Sequence, residues 1–219
     1  PDRFVGFATV PMTDGNEAAK ELERAIKSLK FKGAQILTNV NGKELSDPAF
    51  APFWKKAEEL GAIIVIHPNG FTEAKRFSRF YFNNVIGNPL DTTIALQKLI
   101  FEGVFDKFPE LKVLGAHGGG FLGSYAPRMD RSCFVSPQNC NPDIVLKKKP
   151  TEYLRQIYFD SLVFTGEALR HLAAEVGTAQ IMIGTDHPIP WEEDPVGHVM
   201  ATPELNDDDR LAILGENAI

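Results

Sequence analysis

A chain of 219 residues is long enough to bury a hydrophobic core and fits a single domain covering residues 1–219. Its content of 43% hydrophobic and 24% charged residues is typical of a globular protein and excludes a disordered or fibrous one. The formal net charge of -6 argues against a nucleic-acid partner, and we interpret the isolated lysines 147–149 as a solvated loop.

Strands and helices alternate along the chain. Six apolar segments predict strands at residues 4–11, 33–37, 62–67, 112–116, 157–160 and 180–184. Apolar spacings of three and four, with caps and glycine stops, predict helices at residues 14–29, 47–60, 89–102, 121–131, 166–176 and 206–219. This alternation predicts a parallel α/β fold, and a barrel is favoured because no glycine-rich phosphate loop follows an early strand. A closed barrel has eight strands, so six correspond to its last three quarters.

The cysteines and the apolar runs bear on the compartment. Cys133 and Cys140 lie close together in a polar stretch and form no zinc-type CxxC pair. We therefore expect reduced thiols and a cytoplasmic protein, with a bridge between the two cysteines as the alternative. The apolar runs are of strand length, so we expect no membrane span, and the first three residues do not resemble a signal peptide.

Three predicted strands end in residues that bind metals or transfer protons. His67 follows the apolar run 62–66, His117 is followed by three glycines, and Asp186 follows the last strand. In a parallel barrel such side chains converge on one face, because the catalytic residues come from the carboxyl ends of the strands. The sequence therefore predicts a site that contains all three.

Each of these residues has more than one interpretation. His67 is either a metal ligand or a core histidine, whereas a carboxylate such as Asp186 at the end of a buried strand must be paired, hydrogen-bonded or bound to a cation. Histidine and carboxylate together suit Zn²⁺ or Mn²⁺. His117 is a candidate general acid or base, or a third ligand. Since no lysine ends a strand, one metal is favoured over two.

The other histidines are weaker candidates. We expect His171, within a helix, and His198, in a loop, to lie on the surface. His187 follows Asp186 directly and is expected to point to the opposite side, where it packs either behind the residues of the site or against a loop.

Residues that contact a substrate are sought beyond the strand ends. Arg128 and Arg131 lie about one turn apart on a predicted helix, where a guanidinium either holds a substrate carboxylate or makes a surface salt bridge. The long segment 69–88 is rich in aromatic residues, including Phe80, and Trp191 lies in the last loop. These rings either form the wall of a pocket for a flat substrate or pack the loop against the rim of the barrel.

Four segments together resemble one known family. They are GVFDKFPELKVLGAHGGG at 103–120, IHP at 66–68, GNPLDTT at 87–93 and GTDHPIP at 184–190. The chain resembles the aminocarboxymuconate-semialdehyde decarboxylase family, a branch of the amidohydrolase superfamily. The resemblance implies a distorted (β/α)₈ barrel that binds one divalent metal, with zinc as the first expectation and manganese as the alternative.

The resemblance also implies residue roles. His67 matches the ligand that ends the fifth strand, Asp186 the ligand that ends the eighth, and His117 the catalytic histidine that ends the sixth. Arg128 is similar to the arginine that contacts the substrate carboxylate, sometimes across a dimer interface, so a homodimer is implied. The family's HxH ligand pair is absent, and the chain begins at what resembles the third strand. We therefore expect an upstream segment with two strands to be missing, or a degenerate gene.

Three hypotheses of function remain open at this point. The first is a non-oxidative decarboxylase that acts on a small aromatic or unsaturated carboxylate. The second keeps the same site for hydrolysis of a lactone, amide or ester, or for hydration of a double bond. The third is an inactive, metal-free fragment of a barrel. The same three strand-end residues serve the first two reactions, so the sequence does not separate them.

Overall fold

The computed structural model describes residues 3–71 and 74–218, and a six-stranded parallel sheet lies at its centre. The strands of this sheet are β1 (Phe7–Thr9), β2 (Gly33–Ile36), β5 (Ile63–Ile66), β6 (Lys112–Gly115), β7 (Ile157–Asp160) and β8 (Ile181–Met182). Two short strands, β3 (Asn39–Val40) and β4 (Lys43–Glu44), form a separate antiparallel pair. All six predicted strands are confirmed. Five of them are shorter than the apolar run that predicts them, and β7 has the predicted length.

The order of the strands distinguishes a barrel from a doubly wound sheet. Neighbours run β1-β2-β5-β6-β7-β8, and every pair is parallel. A doubly wound sheet reverses its strand order at a switch point, whereas a barrel adds each new strand beside the previous one. The observed order never reverses, so the winding is that of an α/β barrel.

Helices connect the strands. They are α1 (Gly15–Leu29), α2 (Ala51–Glu59), α3 (Asn88–Phe101), α4 (Val104–Lys107), α5 (Ala116–Gly119), α6 (Leu122–Val135), α7 (Gly166–Val176), α8 (Pro195–Ala201) and α9 (Asp207–Leu214). The Asp14 side chain caps α1 by accepting the N–H groups of Asn16 and Glu17, as the sequence predicts. Among the residues that the structure describes, no helix is both long and apolar enough to cross a membrane.

The core lies between the sheet and the helices that cover it. Ile64 and Ile66 of β5 are fully buried, as are Phe53 and Trp54 on α2. Trp54 is 1% exposed, and its indole N–H donates to the carbonyl of Leu45 at 2.8 Å. This bond satisfies the one polar atom of a large buried side chain and fixes the connection that precedes α2.

Several predicted boundaries differ from the structure. Segment 69–88 contains helical turns at Ala74–Phe77 and Asn83–Gly87 rather than an open loop. The last helix does not run to the end of the chain: α9 ends at Leu214, before Gly215, and Ile219 lies outside the described residues. Helix α8 is missed by the sequence analysis because it is only two turns long. Asp194 caps it by accepting the N–H of Gly197.

The expectation of reduced thiols is wrong. Helix α6 runs on to Val135, and the turn at Pro137–Asn139 brings the chain back, so that Cys133 and Cys140 form a disulfide with their Cα atoms 5.8 Å apart. Reading the segment as a plain loop missed this return of the chain. The argument for a cytoplasmic protein used reduced thiols, so the compartment stays a prediction without that support.

The disulfide makes a direct prediction about the purified protein. Denatured without reductant, the chain should show no thiol that reacts with a colorimetric reagent, and after reduction it should show both cysteines. Because the bridge closes a short loop, the Cys133→Ser/Cys140→Ser double variant should lose about 2 kcal/mol of unfolding free energy. Two reactive thiols in the unreduced chain, prepared without reductant, would contradict the pairing.

Candidate active site

Three side chains meet at the carboxyl edge of the sheet. Nε2 of His67 lies 3.3 Å from Oδ1 of Asp186, and Nε2 of His117 lies 3.5 Å from Oδ2 of the same carboxylate. The two imidazole rings meet edge to face with centroids 5.0 Å apart. The side chains are 30% exposed for His67, 14% for His117 and 21% for Asp186, so a small molecule can reach a largely shielded cluster.

The sheet itself positions His67. The residue follows β5 directly, and its N–H donates to the carbonyl of Ile36 at 3.0 Å, which continues the pairing of β5 with β2. The alternating burial of β5 places Ile64 and Ile66 in the core. His67 therefore stands at the first position beyond the strand with a fixed backbone, as the sequence predicts.

His117 is presented by a left-handed turn. After β6, four consecutive residues have positive φ angles: 58° at His117, 61° at Gly118, 69° at Gly119 and 67° at Gly120. At residue 118 glycine is required for space as well as for its positive φ, because a Cβ there would lie 2.4 Å from Cγ1 of Val163. A Cβ at Gly120 would lie 2.0 Å from the carbonyl oxygen of Pro89. The three glycines thus turn the chain sharply out of β6 and leave His117 at the bend.

Asp186 also stands in a backbone conformation that is unusual for its residue type. Its φ is 55°, and its carbonyl accepts the N–H of Ile189 at 3.0 Å. The preceding segment is held by the N–H of Gly184, which donates to the hydroxyl of Ser161 at 3.2 Å. Non-glycine residues with positive φ cluster at functional sites, where the surrounding structure maintains them.

One residue near the cluster was missed by the sequence analysis. Asp160, the last residue of β7, accepts the backbone N–H groups of His117 at 2.7 Å and of Gly118 at 2.8 Å. The same signal that singled out His67 and Asp186, a polar residue at the end of an apolar strand, was present at Asp160. It was overlooked because no glycine or proline follows it.

The cluster offers a donor set that suits a divalent cation. The ligand atoms of His67, His117 and Asp186 all lie within 4.8 Å of one another. Donors that share one Zn²⁺ at about 2.0–2.2 Å in tetrahedral geometry stand roughly 3.3–3.6 Å apart. The nitrogen–oxygen spacings are of this size, 3.3 Å from His67 to one oxygen of Asp186 and 3.5 Å from His117 to the other oxygen. Imidazole and carboxylate ligands suit zinc and manganese, so the residues present fit such an ion.

The remaining histidines lie elsewhere. His171, on α7, is exposed, as predicted. His187 is exposed as well, so the expectation that it packs is wrong. His198 lies on α8 and not in a loop, and its Nε2 is buried without a hydrogen-bond partner within the described ranges. His198 is therefore half-buried, with one ring nitrogen shielded from solvent, and the expectation of a surface loop is wrong in its element and right only in part for its exposure.

Aromatic rings from three strand-end segments meet beside one another. Trp191 stacks on Tyr81 with centroids 6.2 Å apart and planes at 18°, and Phe164 meets its edge at 6.0 Å. Phe80 is 73% exposed, contacts the ring of Phe82 and lies under the Arg79 guanidinium. Trp191 thus belongs to an aromatic cluster on the segments that follow β5, β7 and β8, while Phe80 is open to solvent.

Arg128 does not join the cluster of His67, His117 and Asp186 in this chain. It is exposed on α6 and lines a groove of about 980 Å³ between α3, α6 and the disulfide segment. Arg131, Tyr125 and both cysteines also line this groove, and none of the three clustered residues does. The contact of Arg128 with a substrate carboxylate therefore stays a prediction.

Comparison with known proteins identifies relatives of the chain. A model of the family described as amidohydrolase matches residues 1–219. The 2-amino-3-carboxymuconate-6-semialdehyde decarboxylase of Dictyostelium discoideum is 35% identical over 220 residues, which cover 100% of this chain and 61% of the relative. The chain therefore spans about three fifths of the length of that protein.

Solved structures share the fold. The 5-carboxyvanillate decarboxylase of Sphingomonas paucimobilis superposes with a TM-score of 0.90 at 26% identity, over 99% of this chain and 65% of that one. The 5-carboxyvanillate decarboxylase of Novosphingobium aromaticivorans, solved with manganese and 4-hydroxy-3-methoxy-5-nitrobenzoic acid, gives a TM-score of 0.91 at 27% identity, over 100% and 64%. Together with the clustered donors, these neighbours support a single divalent metal, whereas zinc is not confirmed.

The role of Asp186 as a ligand is tested by metal binding. The Asp186→Asn variant keeps the shape of the side chain but loses its negative charge, so Mn²⁺ affinity should fall by more than about 100-fold. A titration followed by electron paramagnetic resonance measures this affinity. Asp143→Asn removes an exposed carboxylate and serves as the matched control, which should bind Mn²⁺ like the parent chain. Equal affinity in both variants would exclude Asp186 as a ligand.

Proposed function

Because this chain belongs to the amidohydrolase family, we propose that it forms part of a metal-dependent, non-oxidative decarboxylase of a small aromatic or unsaturated carboxylate. The observation that carries the proposal is the convergence of His67, His117 and Asp186, which follow the parallel strands β5, β6 and β8 of one sheet. The proposal is supported by a relative and by two structural neighbours that are named as decarboxylases.

The aromatic cluster supports a flat substrate. Trp191 lies between Tyr81 and Phe164, on segments that leave the same edge of the sheet as the two histidines. Offset stacking against such rings favours a planar ring or diene and excludes water from it. In this proposal Trp191 contacts the substrate face, and the exposed Phe80 covers it from the loop after β5.

His67 and Asp186 are the proposed metal ligands. A divalent ion held by them would supply a Lewis acid for a substrate oxygen. Manganese is the first ion to test, because the Novosphingobium neighbour binds it, and zinc is the second. Both ions accept imidazole and carboxylate donors.

His117 is the proposed proton donor. Its Nε2 lies 3.5 Å from Oδ2 of Asp186, so the imidazole stands within the cluster that the substrate would reach. Transfer of the proton to the substrate carbon that carries the carboxylate lets the C–C bond break. CO₂ then leaves, the electron pair of the broken bond restores the ring or diene, and His117 takes up a new proton from water.

Replacement of His117 tests this role. The His117→Ala variant should release CO₂ from 2-hydroxybenzoates about 10²–10⁴-fold more slowly than the parent chain, while its Mn²⁺ content stays the same. His171→Ala, which removes an exposed imidazole on α7, is the control and should keep full activity. Full activity in His117→Ala would exclude the assignment, and loss of the metal would make His117 a ligand instead.

The mass of the product separates this reaction from its rival. A decarboxylase yields a product that has lost CO₂ and gained no oxygen from labelled water. Hydrolysis of a lactone, amide or ester, or hydration of a double bond, places an oxygen from labelled water in the product. Incorporation of that label with the carboxylate retained would move the proposal to the hydrolase or hydratase reaction at the same cluster.

In a homodimer, Arg128 of one chain could contact the substrate bound to the other chain. Arg128 faces the groove beside α3 and not the cluster in its own chain, so we propose that it reaches the substrate in the site of a second copy. An arginine fork there would orient the substrate carboxylate through two parallel hydrogen bonds.

Mixing two inactive variants tests this arrangement. Arg128→Ala and His117→Ala chains, unfolded and refolded together in equal amounts, form mixed dimers that contain one intact site. Activity should return to roughly a quarter of the parent value, because half of the dimers are mixed and each has one working site. If activity stays absent although mixed dimers form, Arg128 does not act across an interface.

A further inference from the structure

The carboxylate of Asp160 is directed at backbone N–H groups. Its Oδ2 accepts from His117 at 2.7 Å, and its Oδ1 accepts from Gly118 at 2.8 Å and from Leu162 at 3.0 Å. Asp160 is not part of the group of donors that could hold a metal. Its interactions therefore act on the conformation of the chain that presents His117.

This contact compensates for an unfavourable backbone conformation. His117 has φ 58° and ψ 51°, and a left-handed conformation is disfavoured for any residue with a side chain. Successive backbone N–H groups in a turn form a concave site for an anion, and here the N–H groups of His117 and Gly118 both donate to one carboxylate. The Asp160 carboxylate occupies that site, so the bond to its charge stabilises the turn.

Asp160 also lies between the two segments that carry the clustered residues. A Cβ at Gly184, two residues before Asp186, would lie 2.6 Å from Cβ of Asp160. Only glycine therefore lets the segment after β8 pass so close to this aspartate. The Asp160 side chain is enclosed by the turn that bears His117 on one side and by the approach to Asp186 on the other.

We propose that Asp160 is a positioning residue that holds His117 with its Nε2 directed at Asp186. The effect on turnover rests on the decarboxylase function proposed above, whereas the effect on the turn does not. A displacement of about 1 Å at a reacting group can cost 100-fold in rate, so release of the turn should slow proton transfer more than it weakens substrate binding.

The Asp160→Asn variant tests the effect on the turn. Asparagine has the same shape, but its amide NH₂ is a donor and meets either the N–H of His117 or the N–H groups of Gly118 and Leu162, so at least one bond is lost. Hydrogen exchange at the amides of His117 and Gly118 should become roughly 10–100-fold faster, while amides within α1 keep their rates. The imidazole resonances of His117 should shift, and those of the exposed His171 should not.

The kinetic readout separates positioning from general destabilisation. In Asp160→Asn, kcat should fall by about 100-fold with KM within about threefold, and Asp143→Asn should match the parent chain. Unchanged exchange at both amides, or faster exchange throughout α1, overturns the proposal. Faster exchange at the amides of His117 and Gly118 with an unchanged kcat overturns the part of the proposal that concerns catalysis. If the parent chain shows no decarboxylation, the proposed function fails, and the exchange and resonance data alone still decide whether Asp160 holds the turn.

Discussion

Hydrogen bonding between parallel strands in register places the carboxyl ends of β5, β6, β7 and β8 at one edge of the sheet. The four residues that follow or end these strands, His67, His117, Asp160 and Asp186, come from separate parts of the chain, and the contacting pair His67 and Asp186 is 119 residues apart. They meet only because each strand keeps its register. A slip of one residue in a strand would turn its side chains to the opposite face of the sheet and separate the clustered residues.

Glycine controls how closely the elements approach one another around this edge. A Cβ at Gly33 would lie 1.8 Å from the carbonyl oxygen of Ile63. Strands β2 and β5 can therefore pair only because residue 33 has no side chain. At Gly115 a Cβ would lie 2.7 Å from Cδ1 of Leu96, so the side chain of Leu96 on α3 packs directly over the backbone of β6. The glycines after His117 extend the same principle to the site. Glycine therefore allows both the tight packing of these elements and the geometry of the cluster.

The sequence predicts well what depends on neighbouring residues. Apolar periodicity predicts α7 at residues 166–176, as observed, and apolar runs locate the strand ends that carry His67, His117 and Asp186. Contacts between distant segments are not predictable in this way. The carboxylate of Asp160 binds N–H groups 42 and 43 residues away, and the partner of Cys133 depends on how the chain returns after α6. Helix α8 has only seven residues, too few to show a helical period, and so the surroundings of His198 were missed.

The two tryptophans of the chain occupy contrasting environments. Trp54 is enclosed in the core with its N–H bound to Leu45, whereas Trp191 stands half-buried among aromatic rings on the loops around the site. Intrinsic fluorescence therefore contains two separable signals. The emission of Trp54 changes only when the core opens to water, and that of Trp191 responds to whatever enters or leaves its aromatic surroundings. Ligand entry and global unfolding can thus be followed in one sample without an attached dye.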